Sequence, residues 1–479
     1  MTLRSSTNRF YALTKFIRVR PVTGVYLSQA RLLPLLCTTS FRFTKVVFLM
    51  KPAGIFLSLL LVSSFCFAQT ITTVAGTGEP GYGGDGGSAV MAQLNGQGAL
   101  AIDALGNLYI NDDINIRIRK VSPSGTITTI AGTGEISSTV EGPALRTGFL
   151  SIYSFAVLPD GTLYIGDADG LQKVDTFGYL TYLISDGSVT GIRISKQGAF
   201  YTSGITVIYR LNPDQSQTPI AGSELGDSGD GGPAMDALFY VTDFTTDIAG
   251  DIYILDSYAN RVRKFTPGGN ISAVAGNGTN GFSGDGGPAV QAQLSNPDGI
   301  AVDVAGNVYI SDSANSRIRR VTTDGIINTF AGTGDGGITG DGGPALQATF
   351  NYPAFLAVSC NALYISDTNS VRAITLTDPL IALRGIASST TGALSIRAGT
   401  NFQISGCNLA RTSASTDLTP PLSLAGTTIK LNGVAVPVIS VSPTLLVAQV
   451  PFGFASGQAT ITVTVDGVAA TASAKVVVE

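Results

Sequence analysis

The phrase Ile71-Thr72-Thr73-Val74-Ala75-Gly76 returns at residues 127–132, 271–276 and 327–332, with degenerate copies at 218–222 and around 182–187. A second phrase, apolar-Tyr-Ile-x-Asp, ends in Asp112, Asp167, Asp256, Asp312 and Asp367, and Phe200-Tyr201-Thr202 fills the remaining slot. The six tyrosines are spaced by 55, 37, 52, 56 and 55 residues, so the third unit is the shortened one. A period of this length marks an array whose units bury their apolar faces against one another.

Each unit reads as four strands. In the clearest, residues 299–304, 308–311, 317–321 and 326–331 are apolar or alternating. They are separated by Ala305-Gly306-Asn307, by residues 312–316 and by Thr323-Asp324-Gly325. Gly and Asn at such turns supply the positive φ of tight hairpins. Residues 71–76 stand alone before any first strand, and the last unit runs out near Leu376 without a fourth. Pairing the two ends closes a ring and covers two sheet edges. Four antiparallel strands per unit, six units and no helical periodicity predict an all-β fold, a six-bladed β-propeller over residues 69–377.

Composition narrows the chemistry. The chain has 479 residues and no histidine. That excludes Ser-His-Asp and Cys-His pairs, His-ligated zinc and an imidazole base. Residues 1–68 hold nine of the 29 Lys+Arg and no acid, leaving 20 basic against 33 acidic side chains, a formal charge of −13. A body this acidic is a poor partner for nucleic acid or an anionic membrane.

Lys51, the apolar run 55–62 and Cys66-Phe67-Ala68-Gln69 form the charge, core and small-residue pattern of a secretory signal, too short to span a bilayer. Met50 opens it, so residues 1–49 read as a mis-called leader and 50–68 as a signal peptide cleaved after Ala68. Bulky Phe65 argues against lipidation of Cys66. The expected location is secreted, cell-surface or periplasmic, with no membrane span in the mature chain. Cys37 and Cys66 fall in the removed region. Cys360 and Cys407 remain, either paired in an oxidising compartment or as two buried thiols.

After Thr377-Asp378-Pro379 the period stops. Residues 428–436 alternate about Asn432-Gly433, and 460–472 about Asp466-Gly467, both strong hairpin signals. With strands near 402–405 and 445–450, about seven short strands predict an immunoglobulin-like β-sandwich over 378–479.

The units 98–132 and 299–332 carry Gly-Asn-x-Tyr-Ile-x-Asp, then Asn-x-Arg-Ile-Arg, then Gly-x-Ile-x-Thr-x-Ala-Gly. They resemble NHL repeats, in the variant with Gly-Asp-Gly-Gly-Pro-Ala between blades that occurs in secreted bacterial repeat proteins and teneurins. Residues 181–217 depart most, lacking both the Asp and the Arg. The resemblance implies a six-bladed binding scaffold. Amidating lyases among its relatives use metal-ligating histidines, which this chain lacks. Residues 398–409, Leu431-Asn432-Gly433 and Val450-Pro451 resemble IPT-like domains, implying a spacer or adhesion module without chemistry of its own.

The Gly-Asp-Gly-Gly loops place Asp85, Asp230, Asp285 and Asp341 on the face that carries Asp112, Asp256, Asp312 and Asp367. These loop carboxylates are the candidate metal ligands, for weak calcium at most. The expectation is that they bond loop amides. Arg117, Arg261 and Arg317 share one strand position and Arg119, Arg263 and Arg319 another, expected to bridge to Asp residues on neighbouring blades. Asp112, Asp256, Asp312, Asp367, Arg117, Arg261 and Arg317 form the candidate recognition or structural rim. Tyr109, Tyr164, Tyr253, Tyr309 and Tyr364 read as inter-blade core with the hydroxyl bonded at the rim. No catalytic constellation is present. The expected function is an exported binding or adhesion scaffold for an unidentified protein or polysaccharide at the cell surface. The alternatives are a hydrolase or lactonase with a carboxylate-held metal, for which Glu79, Glu135, Glu141 and Glu224 are poorly placed in inter-blade loops, and a purely structural surface component.

Overall fold

The computed structural model describes residues 69–96, 98–185, 189–388, 395–397, 400–410, 413–416, 420–451 and 454–477. The leader, the signal peptide and its Ala68 cleavage position, Cys37 and Cys66 lie outside the described residues.

Six antiparallel sheets, here called blades, each follow the order of strands one to four along the chain: residues 100–131, 152–184, 191–221, 243–275, 299–331, and 353–375 completed by Ile71–Ala75. The first strands touch in sequence round a closed ring, Leu100–Ile102 against Ile152–Val157 and so on until Pro353–Val358 meets Leu100–Ile102 again. Ile71–Ala75 pairs antiparallel with Ser370–Thr375, Ile71 opposite Ile374. The strand earliest in the chain thus supplies the outer strand of the last blade.

Alternation along each strand sends side chains toward both neighbouring blades. The core accordingly lies between blades. One buried cluster joins Ile118 and Phe155 across blades one and two, another Val262 and Ile310 across four and five. The smallest, around Ala156, Leu171, Val189 and Ile192, flanks the shortened third blade. Buried Asp103, Asp247 and Asp303 follow the first strands of blades one, four and five. Each accepts backbone amides of its own turn and the hydroxyl of Tyr109, Tyr253 or Tyr309, at 3.2–3.3 Å. Tyr164 instead packs edge-on against Phe200, ring centroids 4.7 Å apart.

Residues beyond 378 build a β-sandwich of a five-stranded and a six-stranded sheet around Phe402, Ile404, Ile429, Leu446 and Ile461. The Asn432-Gly433 and Asp466-Gly467 turns have paired positive φ values (46° and 82°, 48° and 91°), as a two-residue hairpin requires. The strand count exceeds the expected seven. Short pairings such as Ala414–Ser415 and Ser423–Leu424 carry too few residues to show alternation. Cys360 and Cys407 form a disulfide. Beside it, Asn408 donates its side-chain amide to the carbonyls of Cys360, Leu376 and Asp378. The possibility of two isolated thiols is thereby overturned. Cys360 sits in the turn between the first two strands of blade six, and residues 376–380 lead the chain back beside it.

Candidate functional site

Antiparallel order brings the start of each first strand, the end of each second strand and the Asp-Gly-Gly loops to one face. The other face carries the remaining two turns of each blade. Two layers of side chains occupy the Asp-bearing face.

The outer layer is repeated. The guanidinium of Arg119 is fully buried and lies 2.8 Å from Asp85 and 2.9 Å from Asp112. Arg319 stands 2.8 Å from Asp285 and 3.1 Å from Asp312. Arg263 reaches Asp230 at 2.9 Å, and Arg372 reaches Asp341 at 2.6 Å and Asp367 at 3.6 Å. The loop carboxylates thus bond to arginine and to threonines of the outer strand, not to loop amides as expected: the Thr73 amide donates to Asp341 and the Thr329 hydroxyl to Asp285. The reason is the arginine two residues along the third strand, which points under the loop and brings five donors to it. The strand-end carboxylates do hold amides: Asn95 on Asp112, Tyr240 on Asp256, Ser295 on Asp312 and Asn351 on Asp367.

Among the described residues, Arg117 and Arg317 make no ion pair. They donate to the carbonyls of Asn115 and Thr133, and of Asn315 and Thr333, while stacking on Tyr82 and Phe282 at 3.9 and 4.0 Å. Only Arg261 of this set keeps an acidic neighbour, Asp227 at 3.2 Å. In blade two, buried Gln172 replaces the inner arginine and donates to Asp167.

Burial sets the carboxyl acidities of this layer. It pushes Asp112 and Asp312 above the usual range despite their asparagine, amide and arginine donors. Burial also pushes Asp85 and Asp341 upward, but hydrogen bonds from Thr129 and Thr73 and the adjacent guanidinium outweigh it and hold both below the usual range. Burial raises Asp367 to about 6.

The inner layer departs from the repeat. The first-strand residue opposite the repeated tyrosine is Ala101, Ala156, Ala301 or Ala357 in four blades, Thr245 in blade four and Arg193 in blade three. Two residues earlier stand Gly191 in blade three and Gly299 in blade five, but Asp243 in blade four. The two exceptions meet as an ion pair. Asp243 is only 7% exposed, also accepts the Ile300 amide at 3.1 Å, and is raised by burial against the pull of Arg193. Asp298 lies close enough to feel its charge. Burial and Asp243 raise the Asp298 carboxyl, while hydrogen bonds from Tyr352 and Ser313 oppose the rise.

These groups stand near a cavity of about 250 Å³ lined by first-strand residues, including Leu100, Ile192, Ile300, Leu356 and Arg193. Among the described residues no group of three or more His, Cys, Asp or Glu is placed to hold a metal ion. Arg193, Asp243, Asp298 and Tyr352 were not singled out from sequence. A search for what repeats passes over what does not, and the sign pointing to them was their departure from Ala, Gly or Asn at fixed positions.

Residues 191–339 match the family model described as the Teneurin NHL domain. Teneurin-1 of Gallus gallus is 27% identical over 286 residues, covering 55% of this chain and 10% of its own length. Teneurin-4 of Mus musculus is 28% identical over 271 residues, covering 51% of this chain and 9% of its own. The chain thus spans about a tenth of the length of the curated relatives it matches. Two solved structures from Bacteroides thetaiotaomicron share the fold. One is of unknown function (TM-score 0.52, 21% identity, 64% of this chain, 76% of that one). The other is an auxiliary nutrient binding protein (TM-score 0.51, 17% identity, with the same coverage). The chain is all-β with a propeller fold, and its repeats and these matches are similar to NHL propellers.

Proposed function

We propose that the protein is an exported, non-catalytic binding or adhesion scaffold: a six-bladed NHL propeller that recognises its partner on the Asp-bearing face, with an immunoglobulin-like, IPT-like sandwich as spacer. One observation carries this reading. The repeated charges of that face are spent inside the fold, while non-repeated Arg193, Asp243 and Asp298 gather beside its central cavity. Repeated residues serve the repeat; grouped departures from it serve a ligand. Export follows from the signal pattern, with cleavage after Ala68, and the partner is a protein or polysaccharide at the cell surface. The acidic mature chain argues against nucleic acid. A carboxylate-held catalytic metal is the weaker reading, because Asp243 is already paired with Arg193.

The test is capture of cell-envelope fractions on immobilised mature protein, with protease-treated and periodate-treated fractions in parallel. Specific, saturable capture is expected. Absence of capture from every fraction, together with hydrolysis of lactone or ester substrates, would overturn the reading. Intact mass of the exported protein should place Gln69 at the N-terminus.

A further inference from the structure

On the Asp-bearing face, contacts link side chains of blades four to six into one surface. Tyr240 and Tyr258 lie with ring centroids 6.4 Å apart. The loop bearing Tyr258 ends in Asn260, whose side-chain carbonyl accepts the Asn296 amide at 2.9 Å. The Asn296 side chain donates to the Tyr352 hydroxyl, and Tyr352 in turn bonds Asp298.

Two features of this surface are not needed by the fold. The first is conformational. Tyr352 has φ of 66°, at the repeat position held by Gly96 (φ 92°) in blade one and Asn296 (φ 46°) in blade five. A bulky residue in the left-handed region is a true outlier, of a kind that persists where a side chain is wanted for function. The second is exposure. The Tyr258 ring is 81% exposed at the tip of its loop, where a polar residue would meet the turn's needs.

We propose that this surface is a glycan-binding subsite, in which Tyr258 stacks on the apolar face of a sugar while Asp298 and Asn296 read its hydroxyls. The proposal rests on the scaffold reading above and names its ligand class. A pyranose offers a flat C–H face and a girdle of hydroxyls. An exposed phenol ring suits the first, and a carboxylate acceptor beside an amide suits the second. The sugar is uncharged. The nearby cation, Arg193, is neutralised by Asp243, which leaves the Asp298 carboxylate as the charge an anion would meet.

The experiment is an array of cellohexaose, laminarihexaose and chitohexaose probed with the full mature chain, followed by calorimetry on the hexasaccharide that binds. Tyr258→Ala and Asp298→Asn should each weaken binding at least about tenfold, a loss of roughly 1.4 kcal/mol. Tyr258→Phe should retain it, since the ring remains. Phe177→Ala should leave affinity unchanged, because Phe177 is exposed on the opposite face. Melting curves confirm that each variant is folded, and exposed Tyr258 decides the question if Asp298→Asn is not. Glycan binding that survives Tyr258→Ala places the site elsewhere and overturns the subsite. No binding on the array, alongside protease-sensitive capture from envelope fractions, overturns the glycan inference while the scaffold reading stands. No capture of any kind overturns both.

Discussion

The outer and inner layers of the Asp-bearing face use the same residue types to opposite ends. On the rim, Arg119, Arg263, Arg319 and Arg372 are each buried beneath a loop carboxylate, in four blades of the six. Near the axis a single pair, Arg193 with Asp243, occupies positions that the other blades give to uncharged residues, alanine or Thr245 for the first and residues such as Ser154, Gly191 and Gly299 for the second. An ion pair that recurs in step with the repeat holds the loop between blades onto the strand below it. One that occurs once has no such duty. The difference teaches that charge in step with the period on this face is spent on the fold, so the proposed ligand contacts are to be sought where charge breaks it.

Removing a rim arginine should have the largest effect. Arg319→Ala strands Asp312, wholly buried, and strips Asp285 of its guanidinium. Breaking a buried pair on one side typically costs about 3–5 kcal/mol. Chemical denaturation should show a loss of that order. A loss below about 1 kcal/mol would mean that the rim pairs are as dispensable as surface salt bridges.

Next in size is a pH effect within the rim itself. Asp367 differs from Asp112 and Asp312 because Arg372 leans toward Asp341 and leaves the Asp367 oxygen 3.6 Å away, with no hydrogen-bond partner. Burial then dominates and pushes its carboxyl up to about 6, against an ordinary value of 3.8. The folded state therefore binds this proton more readily than the unfolded one. Stability contributed by Asp367 is present below pH 4 and is lost as pH rises through about 6, by up to roughly 3 kcal/mol for a two-unit difference. Wild type should gain stability relative to Asp367→Asn as pH falls from 7 to 4. Parallel pH profiles would show that Arg372 serves Asp367 as Arg119 serves Asp112.

Arg193→Ala should cost less, roughly 2 kcal/mol, since it leaves buried Asp243 short of a donor but still holding the Phe244 and Ile300 amides. Adding Asp243→Gly restores the repeat's own residues and should return stability to within about 1 kcal/mol of wild type. A strongly destabilised double variant would make the pair structural after all, and the contrast with the rim would fail.

Much of the scaffold is legible in the chain. The lone phrase 71–76 announces its pairing with the last blade, because an orphan fourth strand and a blade lacking one have no other partners. Asn432-Gly433 and Asp466-Gly467 announce their hairpins, because few dipeptides tolerate two successive positive φ values. The candidate site is legible only in retrospect. Arg193 and Asp243 are 50 residues apart and meet because adjacent first strands converge near the axis, a proximity that no local pattern encodes. Asp298 follows Asn296-Pro297 in what reads as a turn, and its tie to Tyr352 spans two blades. The disulfide was undecidable for a similar reason. The separation of Cys360 and Cys407 says nothing about the turn of blade six lying beside the first strands of the sandwich.

The smallest expected effect concerns calcium and the rim loops. Four Asp-Gly-Gly loops offer carboxylates and carbonyls, the ligand type calcium prefers, but it requires six to eight oxygens. Each loop supplies one carboxylate, and in Asp85, Asp230, Asp285 and Asp341 that carboxylate faces a buried guanidinium within 2.6–2.9 Å. A cation entering there would have to displace or sit beside a fixed positive charge, which Coulomb repulsion in a partly buried site disfavours. Calorimetric titration of calcium into the wild type should therefore give no heat, or heat only in the millimolar range. The double variant Asp285→Asn, Asp341→Asn should be no weaker a binder but should melt lower, because Arg319 and Arg372 lose their loop partners. Tight binding by the wild type that disappears in the double variant would turn the rim into the functional layer and reverse the comparison with the inner layer.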